Sequence, residues 1–247
     1  MNAVAADYPS GSFWGRAVKI VILTGAGVSA ESGLGTFRDQ SGLWTKYDLS
    51  EVATPEGFAR DPAKVHDFYN ARRRNAAEAA PNAAHEALAR LQTDATAEVV
   101  LVTQNVDDLH ERAGAVAIHM HGALNRAACA ACEATWEAPL EMWPDDTCDT
   151  CGKAATRPDI VWFGEIPKHL DEIGAHLSRA DLFVAIGTSG QVYPAAGFVA
   201  EAAAAGADTL EINLEPSDVS RLFDRRIMGQ ASEVVPRWVN GVLAATG

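Results

Sequence analysis

The chain has 247 residues, 48% of them hydrophobic, and a formal net charge of −13. That length holds one large core, or one core with a smaller lobe, and its apolar runs are too short or too interrupted by charge to span a bilayer. The acidic balance argues against a sequence-independent grip on nucleic acid, which needs a basic surface. It fits either attraction to lysine-rich segments or plain solubility.

In chain order, Met1 to Arg16 shows no basic start followed by an apolar core and cleavage site, so a cytoplasmic protein is expected. Val18–Thr24 reads as a strand buried on both faces. It runs into Gly25-Ala26-Gly27-Val28-Ser29-Ala30, which satisfies G-x-G-x-x-G/A with Ala30 in the last place. Glycines there let the backbone approach a pyrophosphate, and the helix amides that follow face the anion. An ordinary small-residue turn has the same composition. In Thr36-Phe37-Arg38-Asp39 the guanidinium suits a phosphate and the aromatic ring can shield a reactive sugar carbon, although a plain surface loop reads alike. Residues 41–87 are helical and loop-like with no good strand, and include a helix predicted over Pro62–Ala79.

A helix over Asn82–Gln92 precedes the strand Val99–Thr103 and the polar run Gln104-Asn105-Val106-Asp107. Polar groups at the C-terminal end of a parallel strand point into the crevice where ligands bind. Asn105 or Asp107 also suits the N-cap of a helix predicted over Val106–Ala113. The strand Val116–Met120 ends on His121-Gly122, and that position singles out His121 as a proton acceptor. His66, His85, His110, His119, His169 and His176 read as core or solvated residues. Residues 123–156 then hold Cys129-x2-Cys132 and Cys148-x2-Cys151, with fifteen residues between the pairs. This is four-thiolate zinc-ribbon spacing, which closes a tetrahedral and therefore structural site. Two disulfides are the alternative, disfavoured in a reducing compartment.

The remaining predicted strands are Asp159–Phe163, Leu182–Gly187 and Thr209–Leu214; the remaining helices are Lys168–Ser178, Ala195–Ala205 and Ser232–Leu243. Strand–helix alternation implies a doubly wound α/β sheet. The fold expected is a Rossmann-like parallel-sheet lobe from residues 16–40, 88–122 and 157–247. A smaller lobe comes from a helical insertion (41–87) and the zinc ribbon (123–156), all within one unit of residues 1–247. A dinucleotide site usually carries an acid after the second strand; here that region is loop and helix, so Glu215, in Asn213-Leu214-Glu215, is the candidate ribose acid. Gly187-Thr188-Ser189 supplies another small polar turn for phosphate or ribose.

Taken together, Gly25 to Gly33, Thr36-Phe37-Arg38, Gln104-Asn105-Val106-Asp107, His121-Gly122, the four cysteines, Phe163-Gly164-Glu165, Gly187-Thr188-Ser189, Asn213-Leu214-Glu215 and Ala231 resemble the sirtuins, the NAD-dependent protein lysine deacylases. The resemblance covers Val18 to Val235 and is strongest to bacterial members related to the class that removes acidic acyl groups. It implies NAD as a co-substrate and one structural Zn2+. The pyrophosphate is expected at Gly25, Ala26, Gly27 and Ala30. Thr36, Phe37, Arg38 and Trp44 are expected on the cofactor, with Gln104, Asn105, Val106 and Asp107 at the nicotinamide and its ribose. Gly187, Thr188, Ser189, Asn213, Leu214, Glu215 and Ala231 would hold the rest of the nucleotide.

It further implies His121 and Asn105 as catalytic residues, and an acyl-lysine peptide entering as an extended strand along Val161, Phe163, Gly164 and Val192. Products would be free lysine, nicotinamide and acylated ADP-ribose. In such sirtuins a Tyr-x-x-Arg pair reads the carboxylate of succinyl- or malonyl-lysine, and Tyr69 and Arg72 are i and i+3 on the predicted helix. Gly35 departs from the proline that many relatives carry there, and Trp162 stands where many carry a different aromatic or aliphatic residue. Partners are then acyl-lysine proteins or peptides, with no membrane and no nucleic acid. The rival functions are a protein mono-ADP-ribosyltransferase, a non-catalytic NAD- or acyl-lysine-binding module and a hydride-transferring dehydrogenase.

Overall fold

The computed structural model describes residues 18–35 and 47–246. In chain order the strands are β1 (Lys19–Thr24), β2 (Glu98–Thr103), β3 (Ala117–His119), β4 (Gly122–Cys129), β5 (Thr135–Glu137), β6 (Thr156–Ile160), β7 (Leu182–Ile186), β8 (Asp208–Asn213) and β9 (Arg225–Met228). The helices are α1 (Ala26–Ala30), α2 (Leu49–Val52), α3 (Pro55–Arg60), α4 (Pro62–Glu78), α5 (Ala83–Asp94), α6 (Leu109–Arg112), α7 (Leu170–Leu177), α8 (Phe198–Ala204) and α9 (Ala231–Thr246). Among the described residues, no helix is long and apolar enough to cross a membrane.

A six-stranded sheet in the order β3-β2-β1-β7-β8-β9 is parallel throughout, as a doubly wound fold requires. β1 is its centre: all six residues of Lys-Ile-Val-Ile-Leu-Thr are buried, because helices cover both faces. Ile20 and Ile22 join Val184, Leu88, Leu91, Val235 and Val239 on one face. Val21 and Leu23 join Phe183, Ile173, Val199 and Phe198 on the other. The chain order reverses at β1, which has β2 on one side and β7 on the other. The C-terminal ends of those strands therefore open a crevice at the switch point.

The second layer is small. β5-β4-β6 form an antiparallel sheet, and α2, α3 and α4 pack beside it through Val52, Val65, Phe68, Tyr69, Leu124, Ile160 and Trp162. α4 starts where Asp61 accepts the Lys64 amide at 3.0 Å and Pro62 occupies the first turn. α5 starts on a reciprocal cap, with the Asn82 side chain taking the Ala84 amide and His85 Nδ1 taking the Asn82 amide. Although α5 begins inside the expected helical insertion, Ala84, Ala87 and Leu88 sit in the large core.

Two expectations need correction, and one strand lies outside them. The strand expected at Asp159–Phe163 in the parallel sheet is Thr156–Ile160, and it pairs antiparallel with β4 in the small sheet. Its burial alternates, with Thr156, Pro158 and Ile160 inward, the pattern of a half-buried strand. The helix expected over Val106–Ala113 shrinks to α6, because Thr103 Oγ1 accepts the Asn105 amide and Asp107 Oδ1 accepts the Leu109 amide, so side chains replace helical partners. The sixth strand, β9, carries two arginines at the sheet edge and gave no apolar signal.

Candidate active site

The crevice is built from the loops that leave β1, β2, β7 and β8. They are laced together by backbone. Gly25 N–H donates to Ile186 O at 3.0 Å, Gln104 N–H to Thr24 O at 2.9 Å, and Gly187 N–H to Ile212 O at 3.0 Å. The glycine turn lies directly against the β7 loop, where Gly27 N–H donates to Gly187 O at 2.9 Å. Gly187 has φ +63°, and a Cβ there would stand 2.7 Å from the Val28 nitrogen. Only glycine allows both the conformation and the approach. Thr188 follows, its carbonyl accepting from Asn213 Nδ2 at 2.7 Å, so the β7 and β8 loops form one rim with Ser189. Leu214 and Glu215 lie exposed beyond that rim, and Ala231 opens α9 with its side chain in the large core.

Asn105 reaches inward from the β2 loop. Its Nδ2 donates to Gly25 O and to Ser29 Oγ, both at 3.1 Å. Asp107, 8% exposed, takes the Leu109 amide, and burial raises its carboxyl above the ordinary range. Gln104 and Val106 are half-buried beside them. Ser29, His85 and His119 were not singled out from the sequence, and all three support this floor. His85 Nε2 lies 3.4 Å from Ser29 Oγ, and His119 Nδ1 donates to Asn105 O at 3.1 Å while its Nε2 faces Glu111 at 3.0 Å. Burial opposes charge on His119, but the Glu111 carboxylate outweighs it and holds the imidazole above its usual value. One signal was available: His119 stands two residues before His121, at the end of the same predicted strand.

His121 closes the crevice. Its Nδ1–H donates to Gln104 O at 3.1 Å, which makes Nε2 the basic nitrogen. Burial pulls its pKa below the usual value, so the ring is neutral at pH 7. Gly122 lets the chain turn: at φ +79°, a Cβ would fall 1.9 Å from Asp159 O. The His121 carbonyl in turn accepts the Val161 amide at 2.9 Å. Val161 and Val192 are half-buried, while Phe163, half exposed, and Gly164, at φ +93°, project from the same region.

Behind the floor, His85 and His110 place their rings 4.9 Å apart. Burial drives them down to about 4 and about 3. On the small-lobe side, Tyr69 is buried on α4, one helical turn from the half-buried Arg72, whose guanidinium carbon lies 5.6 Å from the Tyr69 ring centre. Burial lowers the Arg72 pKa, with Tyr69 and then Asp107 favouring its charge. Thr36, Phe37, Arg38 and Trp44 lie outside the described residues.

The four cysteines converge from two knuckles at the far end of the small sheet, with all four sulfurs within 4.8 Å of one another. Cys129 and Cys151 sulfurs are 3.6 Å apart and those of Cys132 and Cys148 are 3.8 Å. A tetrahedral zinc with bonds of about 2.3 Å needs sulfur separations of roughly 3.8 Å, so this set fits one ion and leaves no ligand position for water. None of the four is in a disulfide.

Comparison with known proteins agrees with this geometry. Residues 25–194 match the Sir2 family. An NAD-dependent protein deacylase of Caulobacter vibrioides is 61% identical over 232 residues, covering 92% of this chain and 98% of that protein. One from Escherichia coli K12 is 52% identical, covering 91% and 82%. Among solved structures, a Sir2 homologue in complex with NAD superposes with a TM-score of 0.86 at 40% identity, covering 93% of this chain and 91% of that one. A Sir2 bound to acetylated peptide does so with 0.77 at 28%, covering 90% and 92%. A glycine turn and a strand-end histidine across one crevice, four convergent thiols and similarity over more than nine-tenths of the chain together identify it as a member of the Sir2 family.

Proposed function

We propose that this chain is an NAD-dependent protein lysine deacylase that transfers the acyl group to ADP-ribose and releases nicotinamide, acting on acetyl-lysine and on succinyl- or malonyl-lysine. The observation that carries this is His121: a neutral imidazole whose Nδ1 is tied to the Gln104 carbonyl, leaving Nε2 as a base at the mouth of a dinucleotide crevice. A sensor or binding module needs no such base. The cradle suits NAD, since two glycine loops in contact and a buried Asn105–Ser29 floor leave small-residue edges at the switch point. NAD, when bound, supplies the electrophilic sugar carbon and the nicotinamide leaving group.

The residues divide the work. The loops at Gly25–Gly27 and at Gly187, Thr188 and Ser189 hold the phosphates. Asn105 and Asp107 orient the nicotinamide and its ribose, buried so that water is excluded. His121 Nε2 accepts a proton from a ribose hydroxyl. Asn213, Leu214, Glu215 and Ala231 bound the remaining nucleotide. The peptide lies as a strand along Val161, Phe163, Gly164 and Val192, where backbone pairing asks little of its sequence. Tyr69 and Arg72 read an acyl carboxylate. The zinc on Cys129, Cys132, Cys148 and Cys151 holds the small sheet and takes no part in the chemistry.

In this reading residues 16–40, 88–122 and 157–247 form the nucleotide lobe and residues 41–87 and 123–156 the smaller lobe, except that β6 pairs with the latter and the start of α5 packs into the former. Free thiols suited to zinc fit a reducing compartment, which supports a cytoplasmic location. A charge of −13 favours lysine-bearing substrates over nucleic acid. The test is incubation with NAD and matched acetyl-, succinyl- and malonyl-lysine peptides, reading the masses of peptide and nucleotide products. Deacylated peptide with acylated ADP-ribose supports the assignment. Transfer of ADP-ribose to protein with the acyl group intact, or survival of both NAD and peptide, overturns it.

A further inference from the structure

Trp162 is a buried aromatic residue beside Tyr69 to which the proposed chemistry gives no task. It is 3% exposed, and its indole N–H donates to the Tyr69 hydroxyl oxygen at 3.0 Å in the buried small-lobe core. The ring is clamped. The Arg157 guanidinium lies 3.6 Å from its centre, and Phe58 packs at 5.1 Å. Arg157 is held by Glu165, Nη1 to Oε1 at 2.7 Å and Nη2 to Oε2 at 3.0 Å. The same Glu165 Oε2 accepts the Trp162 backbone amide at 2.8 Å. A carboxylate, a guanidinium and an indole are thus stacked so that one N–H points at one phenol oxygen.

We infer that Trp162 is a positioning residue for acyl-chain selectivity, fixing the Tyr69 hydroxyl as a hydrogen-bond donor toward an acidic acyl group. This rests on the proposed role of Tyr69 and Arg72. An indole N–H can only donate, and so can a guanidinium. Tyr69 stands between the two, with Arg72 among its hydrogen-bonding neighbours. Its oxygen is therefore committed to accepting, and its own hydrogen is what it has to give. A carboxylate at the end of the acyl chain takes that hydrogen and the Arg72 charge together. An acetyl methyl takes neither. The indole also keeps the phenol from turning its hydrogen back into the core, which would leave the acyl end facing an acceptor.

The test compares the protein with Trp162→Phe, Tyr69→Phe and the double variant, each zinc-loaded, on succinyl- and acetyl-lysine peptides with saturating NAD. Phenylalanine keeps most of the ring and removes the N–H. The expected result is a rise of about three- to tenfold in the KM for succinyl peptide relative to acetyl peptide in Trp162→Phe, the range one net hydrogen bond supports. That rise should fall in KM more than kcat and vanish when Tyr69 is already phenylalanine. The Trp162 indole N–H resonance should also shift in Tyr69→Phe. A purely structural role would lower both acyl activities in parallel and overturn the inference. So would a selectivity change of equal size in the Tyr69→Phe background. If Tyr69→Phe changes selectivity and Trp162→Phe does not, Trp162 has no positioning role while the acyl-carboxylate reading stands. If neither Tyr69→Phe nor Arg72→Met changes selectivity, that reading fails and takes this one with it.

Discussion

Replacing His121 with alanine separates chemistry from binding. The substitution removes one structural bond, the 3.1 Å donation from Nδ1–H to the Gln104 carbonyl. At a half-buried position that loss destabilises the fold by about 0.5–1.5 kcal/mol, small against an ordinary domain stability of about 5–15 kcal/mol. The protein therefore folds and the crevice persists. A positioned general base contributes about 10²- to 10⁴-fold to rate, so kcat should fall by that factor, several times more than the structural loss explains. His121→Gln isolates the two contributions, since its amide can still donate to the Gln104 carbonyl but cannot take a proton. It should be as slow as the alanine variant. The assay is release of deacylated peptide under saturating substrates, with NAD affinity measured by calorimetry. The pH profile adds an independent check. Burial lowers the His121 pKa below 6.5, so activity should be lost as pH falls through a midpoint below that value and be flat above it. A kcat for His121→Ala within tenfold of the parent, or a loss appearing wholly in NAD affinity, would refute the assignment.

Arg72→Met should reduce kcat/KM for succinyl-lysine peptide by about 30- to 150-fold, a charge-assisted contact of about 2–3 kcal/mol, and reduce it much less for acetyl-lysine. Equal losses in parallel kinetics would show that the pair does not read the acyl charge. Stripping the metal with a strong chelator should release one zinc per chain and lower the thermal midpoint, because four converging thiols fold together only around an ion. Metal analysis and calorimetry check this, and an unchanged midpoint in metal-free protein would contradict it. Acid should destabilise the fold before most carboxylates titrate. His85 and His110 sit at about 4 and about 3 when folded against 6.5 unfolded, so the unfolded chain binds more protons as pH drops from 6.5 toward 4. Stability is present above that window and is lost within it. Denaturant midpoints should fall across it, and less steeply in a His85→Asn variant.

The zinc site, the glycine turn and the strand-end positions of Asn105 and His121 were legible from residue order, because each rests on short-range spacing. Two cysteine pairs make knuckles wherever they lie, and an apolar run before Gly25 ends at a crevice in any parallel sheet. β6 was not legible in that way. Thr156, Pro158 and Ile160 alternate with polar residues, and only pairing with β4 shows that they serve the small sheet. Asp107 is legible as an amide acceptor near the start of α6, but residue order does not show that Thr103 takes the Asn105 amide and that the helix begins only at Leu109.

What tertiary structure alone decides is which partners distant residues meet. Local composition determines strands, turns and metal knuckles through backbone geometry and ligand chemistry. Trp162 and Tyr69, 93 positions apart, form one hydrogen bond only because the small sheet and α4 close on a shared core. Likewise His119 holds the Asn105 carbonyl, and Ser29 meets both Asn105 and His85, because neighbouring strands end at one level. Burial then pulls the His85, His110 and His121 imidazoles toward their neutral form. That burial belongs to the packed molecule and to no segment of it.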